Sequence, residues 1–528
     1  MRDFQFPGRS PVRAMNGMAA TSHPLSTLAA LDVLRSGGNA IDAAICAAAV
    51  QAVVEPQSTG IGGDCFMLFC PAGTDEVIAL NGSGRAPAAA TIDRMKALGI
   101  TTMPTFGPHT VTIPGAIDAW CRLQQDHGKL SMADVLAPAI RYAEEGYVIH
   151  DRVAFDWVAS AELLEKDPHA SDIFLPGGKA PKPGDVHRQP ALGQTLKRIA
   201  AEGRDAFYKG PVAEAMVRRL NALGGVHTVE DFAAAACDYV RPISTDYRGM
   251  RIHQVPPNNQ GLTALVMLNI LSGFDLGGLD PNSADRFHLE VEAGRLAYRD
   301  RNERIGDADA TAEVLSPLLS AERAQHLRSH IDPNKAMTDL PDPKLSTSDT
   351  VYISVVDADR NAVSFINSIY YSFGSGIVCP ETGVLLQNRG ASFRLDPSHP
   401  NALAPGKRPM HTIMPGMVTR EGRAVMPYGV MGGDYQPFGH AHLLTSVIDF
   451  GMDVQQAIDS SRVFYQDDKV VAERSVPEKT VAELREKGHD VISAEEPLGG
   501  GQAIWIDWEQ GTLTGASDPR KDGFAAGY

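Results

Sequence analysis

Asp349-Thr350-Val351-Tyr352-Ile353-Ser354-Val355-Val356-Asp357-Ala358-Asp359-Arg360-Asn361-Ala362-Val363-Ser364-Phe365-Ile366 is the stretch on which the fold turns. Two β-branched runs, 351–356 and 362–366, flank the polar five-residue turn Asp357-Ala358-Asp359-Arg360-Asn361. That pattern predicts a β-hairpin, because branched side chains suit a pleated surface and a polar turn lets the chain reverse. Downstream, further strands are expected near 424–428 and 501–508, separated by helices near 437–449 and 453–460. A sheet with helices packed on it is the natural reading.

Upstream, the first 150 residues read as helices with glycine punctuation. Thr21 or Ser22 caps a helix starting near Pro24, and Ser36-Gly37-Gly38-Asn39 ends it before a second, Ala-rich helix. The apolar stretch from Ile41 to Val54 is short and is bounded or interrupted by Asp42, Gln51 and Glu55, which fits a buried helix better than a membrane span. Helical patterns follow at 116–127, 131–144 and 284–304. No repeat or low-complexity segment stands out.

The totals fit an ordinary globular chain: 528 residues, 43% hydrophobic and 21% charged. A net charge of -16 argues against nucleic acid, since no basic stripe offsets it. Cys46, Cys65, Cys70, Cys121, Cys237 and Cys379 form no CxxC pair, so buried free thiols are expected. No metal or cofactor is expected either, because no His/Cys/Asp/Glu spacing rises above background. The start, Met1 to Ala20, has Arg2 but no apolar segment of an export signal, so cytoplasmic residence is the default expectation.

Threonine is a weak nucleophile until it begins a chain. Its own α-amine, with a reference pKa of about 7.7–8.0, then accepts the hydroxyl proton. The residues alone do not pick Thr350 from the other threonines, and Asp349-Thr350 before a strand also reads as a polar strand entrance. The segment from Asp349 to Asp357, with Asn361-Ala362-Val363, resembles the processing site of the gamma-glutamyltransferase family of N-terminal nucleophile hydrolases. The resemblance continues through Phe373-Gly374-Ser375-Gly376, Lys407-Arg408-Pro409 and Gly515-Ala516-Ser517-Asp518-Pro519-Arg520. In the N-terminal half it takes in His23-Pro24-Leu25, Gly37-Gly38-Asn39-Ala40, Gly60-Ile61-Gly62-Gly63 and Ala297-Tyr298-Arg299-Asp300-Arg301. Gly60-Ile61-Gly62-Gly63 lacks the spacing of a phosphate loop and reads as a tight turn.

The resemblance implies an α+β fold, a four-layer αββα sandwich built jointly by fragments 1–349 and 350–528 after cleavage between Asp349 and Thr350. It implies Thr350 as nucleophile, Ser368 as a hydroxyl bonded to it, and Gly432 and Gly433 as oxyanion donors. A homo-oligomer of the processed pair is a further expectation. At the substrate positions the chain departs from a glutamyl enzyme. Ser83 replaces a carboxylate-binding arginine, with Arg85 two residues on. Tyr370, Arg389 and Ser392 replace the acceptors of an α-ammonium, His411-Thr412 replaces paired serines, and a lid segment before Lys407 is missing. Phenol, guanidinium and hydroxyl together suit an anion. The implied partner is a small anionic amide, with oxamate, cleaved to oxalate and ammonia, the expected substrate. Gamma-glutamyl transfer or glutathione hydrolysis, and a dicarboxylic-amide (cephalosporin-type) acylase, are the alternatives.

Overall fold

The computed structural model describes residues 8–338, 340, 343–345, 348 and 350–528. Asp349 and Arg2 lie outside the described residues. The hairpin forms as expected: Val351–Val356 pairs antiparallel with Ala362–Ser368. It is the centre of a seven-stranded antiparallel sheet. In order, that sheet holds Phe524–Gly527, Met18–Thr21, the two hairpin strands, Asp64–Cys70, Ile78–Gly82 and Asp238–Val240. The second seven-stranded sheet runs Val12–Ala14, Thr512–Ser517, Gly500–Asp507, Arg423–Met431, Gly416–Arg420, Met250–Gln254 and Ile243–Tyr247. Each sheet mixes strands from before and after Thr350, so the core is common to both parts of the chain.

Alternation along the strands builds the layers. Tyr352, Val356, Phe66 and Leu68 meet Met417, Met431, Ile504 and Leu513 between the sheets. Ile353, Val355, Met67 and Phe69 point the other way, onto the helices Pro24–Arg35, Ala40–Val54 and Met132–Glu145. Val418, Tyr428 and Val430 leave the second sheet toward Gly261–Leu271, Ala284–Arg304 and Gln436–Ile448. The result is the αββα sandwich. Its sheets approach so closely at Tyr352 that a Cβ on Gly429 would fall inside that ring. Truncating a fully buried Ile353 to alanine here would cost about 2–5 kcal/mol.

Several boundaries differ from expectation for local reasons. The first helix is capped by His23, whose Nδ1 accepts from Leu25 N at 3.2 Å, rather than by Thr21 or Ser22. All 15 residues of Ala40–Val54 are buried, because the helix lies between the sheet and two other helices. Asn39 and Asp42 form its capping box. The strands Asp64–Cys70 and Ile78–Gly82 interrupt what read as an all-helical beginning. The six cysteines are free thiols, four of them buried. Among the described residues no helix is long and apolar enough to cross a membrane.

Candidate active site

Val351 pairs with Asn367, and that register sets Thr350 opposite Ser368. Thr350 Oγ1 donates to Ser368 Oγ at 3.4 Å, and Ser368 Oγ also accepts from Tyr370 N at 2.9 Å. Both hydroxyl residues are buried. In the intact chain the Thr350 nitrogen is an amide and cannot act as a base.

Gly432 and Gly433 sit where the strand Arg423–Met431 ends and the helix Gln436–Ile448 begins. Their φ angles of 118° and 59° lie in the left-handed region that favours glycine. N–H groups at such a strand-to-helix junction lie at the positive end of the helix dipole, where developing negative charge is stabilised. The turn is held by Gln260. Its Nε2 donates to the carbonyls of Thr412 (2.5 Å) and Gly433 (3.0 Å), while its Oε1 accepts from Arg301 Nη1 at 2.7 Å. Arg301 in turn pairs with Asp434 at 2.5 Å. Sequence reasoning had not singled out Gln260. The only hint was an amide-rich run, Asn258-Asn259-Gln260, directly before an apolar helix.

Arg389 is fully buried. Its guanidinium stacks 3.8 Å from the centre of the Tyr370 ring, and Nη1 donates to Thr412 Oγ1 at 2.8 Å. Nε and Nη2, the two donors along one edge of the fork, have no partner among the described residues. Burial pulls its pKa down to about 10, so the group is still a cation at neutral pH. Tyr370 holds φ at 83°, a left-handed conformation that is strained for a bulky side chain. Burial also raises its phenol pKa, so that hydroxyl stays protonated.

The remaining candidates have other tasks. Ser392 Oγ lies within hydrogen-bond reach of the carbonyls of Arg389 (3.1 Å) and Met410 (2.9 Å), its one proton shared between them, steadying the turn that carries Arg389. His411 Nδ1 accepts from Ile413 N at 3.4 Å, which leaves Nε2 to donate to Asp64 Oδ2 at 3.0 Å. Burial, and then Arg389, hold its pKa down to about 3, so it brings no charge. Arg85 faces outward, its side chain 42% exposed, near Asp238 at 3.5 Å and Asp307 at 3.9 Å. It lines a separate cavity of about 210 Å³. Thr350, Ser368, Tyr370, Arg389, Thr412 and the two glycines thus form one connected cluster. Ser392 and His411 buttress it, and Arg85 stands apart.

An αββα sandwich with a threonine at the head of a central strand has the architecture of the N-terminal nucleophile hydrolases. The gamma-glutamyltranspeptidase family profile matches residues 26–528. The glutathione hydrolase-like YwrD proenzyme of Bacillus subtilis is 39% identical, over 97% of this chain and 98% of its own. The oxamate amidohydrolase proenzyme of Klebsiella pneumoniae is 38% identical, over 97% and 98%. The crystal structure of a cephalosporin acylase from Bacillus halodurans superposes with a TM-score of 0.94 at 41% identity, covering 100% of this chain and 99% of that one. This chain belongs to the gamma-glutamyltranspeptidase family, and it is an enzyme with an N-terminal threonine nucleophile. The three relatives bear three different names at nearly equal identity, so likeness alone does not favour oxamate, and the solved structure among them is that of an acylase.

Proposed function

We propose that the chain cuts itself between Asp349 and Thr350 and then hydrolyses amides whose acyl chain ends in a carboxylate, as a dicarboxylic-amide acylase of the cephalosporin type. The observation that carries this reading is the unused donor edge of Arg389. A buried guanidinium with Nε and Nη2 unpaired among the described residues is matched by a carboxylate, which takes two parallel hydrogen bonds. Thr350 lies one contact chain away, through Ser368 and Tyr370.

In the reaction, the freed Thr350 amine takes the proton from Oγ1, and Oγ1 attacks the amide carbon. The oxyanion rests on the N–H groups of Gly432 and Gly433, each such donor contributing about 3–4 kcal/mol. The protonated amine then gives its proton to the departing nitrogen, leaving an ester on Thr350. Water, deprotonated by the same amine, attacks the ester and releases the acid.

The size of the departing group favours an acylase. A cavity of about 490 Å³ reaches Gly432 and Ser348 and is lined by Tyr371, Val471, Pro497 and Leu498. Ammonia from oxamate would leave it empty, whereas a bulky amine would fill it. Oxamate hydrolysis is the second reading, supported by the same arginine and by the Klebsiella relative. A gamma-glutamyl group fits less well. Its α-ammonium would face Arg389, and the nearby carboxylates of Asp64 and Asp434 are bound to His411 and Arg301.

The test compares kcat/KM of the processed enzyme for glutaryl, succinyl, acetyl and gamma-glutamyl p-nitroanilides and for oxamate. The glutaryl or succinyl anilide should lead. A lead for oxamate would transfer the assignment to the second reading, and a lead for the gamma-glutamyl anilide would sink both.

A further inference from the structure

On the far side of the second sheet, His288 and Glu292 lie one turn apart on the helix Ala284–Arg304 and meet His489. One ligand-capable atom from each lies within 4.8 Å of the other two, and all three residues are buried. We propose that these three side chains bind a divalent transition-metal ion of the zinc class.

Each side chain is already oriented for that task. His288 Nε2 bonds to the carbonyl of Asp332 at 2.8 Å. A carbonyl only accepts, so Nε2 carries the hydrogen and Nδ1 presents a lone pair. This is the outer contact that fixes tautomer and ring angle in metal-binding histidines. His489 Nε2 lies 2.8 Å from that Nδ1. Glu292 takes one hydrogen bond on each oxygen, from Arg295 Nη1 at 2.9 Å and Met337 N at 2.8 Å. Each oxygen keeps a second lone pair.

Zinc–nitrogen bonds of about 2.0–2.1 Å in a tetrahedral site put ligand nitrogens about 3.3 Å apart. The two rings need only separate by about half an ångström. His489 would move its remaining proton to Nδ1. Two imidazoles and one carboxylate favour zinc, cobalt or nickel over calcium or magnesium, which take oxygen. A neighbouring cavity of about 320 Å³ is lined by Arg299, His330, Asp332, Lys335 and Met337, of which Asp332 and Met337 bond to His288 and Glu292. Because His288 and Glu292 precede Thr350 and His489 follows it, the ion would join the two parts of the chain.

The full chain, stripped by chelation and returned to chelator-free buffer, is titrated with Co²⁺. The result expected is one ion per chain, retained on gel filtration and showing the visible absorption of four-coordinate Co²⁺. His489→Gln should weaken retention at least tenfold, and so should Glu292→Gln, which preserves side-chain volume if the histidine variant fails to fold. His326→Ala should leave retention unchanged, which controls for the exposed His326–His330 pair. No retention, or retention lost only in His326→Ala, would overturn the site and leave His288 and His489 as a hydrogen-bonded pair.

Discussion

Replacing Arg389 by methionine separates substrate recognition from folding. In the free protein the guanidinium loses most of its hydration and recovers one hydrogen bond, to Thr412. The fall of its pKa from 12.5 to about 10 means that burial disfavours the cation by about 3 kcal/mol. A substrate carboxylate at Nε and Nη2 restores that loss. Methionine fills similar space without charge, so Arg389→Met should lower kcat/KM for a glutaryl anilide by about 3 kcal/mol, roughly 150-fold. An acetyl anilide, which has nothing to offer the fork, should change less than about threefold. The same substitution removes an unsatisfied buried cation, so Tm should hold steady or rise. The assay is the ratio of the two kcat/KM values in wild type and variant, with a melting curve on each. Equal loss on both substrates, or a large fall in Tm with no change in the ratio, would refute the carboxylate-binding role.

Thr350→Ala should remain a single 56.6 kDa chain on a denaturing gel and show no amide hydrolysis. The wild-type small fragment should begin Thr-Val-Tyr-Ile by N-terminal sequencing, and any other terminus would reassign the nucleophile. Glu55 is buried and accepts from Ser22 Oγ at 2.6 Å and Gln51 Nε2 at 3.0 Å, with burial raising its pKa to about 7. A carboxyl whose folded pKa lies above its unfolded value stabilises most while protonated. Stability therefore falls as pH climbs from about 4.5 to about 7. Glu55→Gln, which keeps an acceptor oxygen for both bonds, should gain up to about 3 kcal/mol over wild type at pH 8 and nothing at pH 4. Melting both proteins at the two pH values reads this, and an equal shift at each would contradict it.

What the sequence made legible follows from what each element buries. The hairpin at 351–368 was readable because β-branched runs flank a polar turn. Asp64–Cys70 was not, since DCFMLFC is apolar on both faces and shows no period-2 alternation that would distinguish it from a helix. The helix at 284–304 read as amphipathic, yet Arg286, Glu290 and Glu292 are all fully buried. Its charges pair internally, Arg286 with Glu290 and Arg295 with Glu292, and composition cannot reveal such pairing. The candidate site came from the resemblance residue by residue. Arg389 was legible as a cation among replaced acceptors, but its two unpaired nitrogens exist only once the fold has spent Nη1 on Thr412. Gln260 and the His288–Glu292–His489 group escaped notice because their partners lie far away in sequence.

The segment before Thr350 explains why processing and catalysis belong together in this fold. Leu345 is buried in the core of the second sheet's helical layer, and the Pro343 carbonyl accepts from Asn302 Nδ2 at 2.5 Å. Ser348 then lies so close to Gly433 that even a Cβ there would collide with it. In the intact chain Ser348 therefore covers the turn proposed to hold the oxyanion, and the Thr350 nitrogen is locked in an amide. The proposed hydrolysis of the bond before Thr350 would convert the nitrogen into a base and free the end that carries Ser348. Creating the base without clearing the turn would give an enzyme that cannot bind substrate, and clearing the turn without the amine would leave an unactivated hydroxyl.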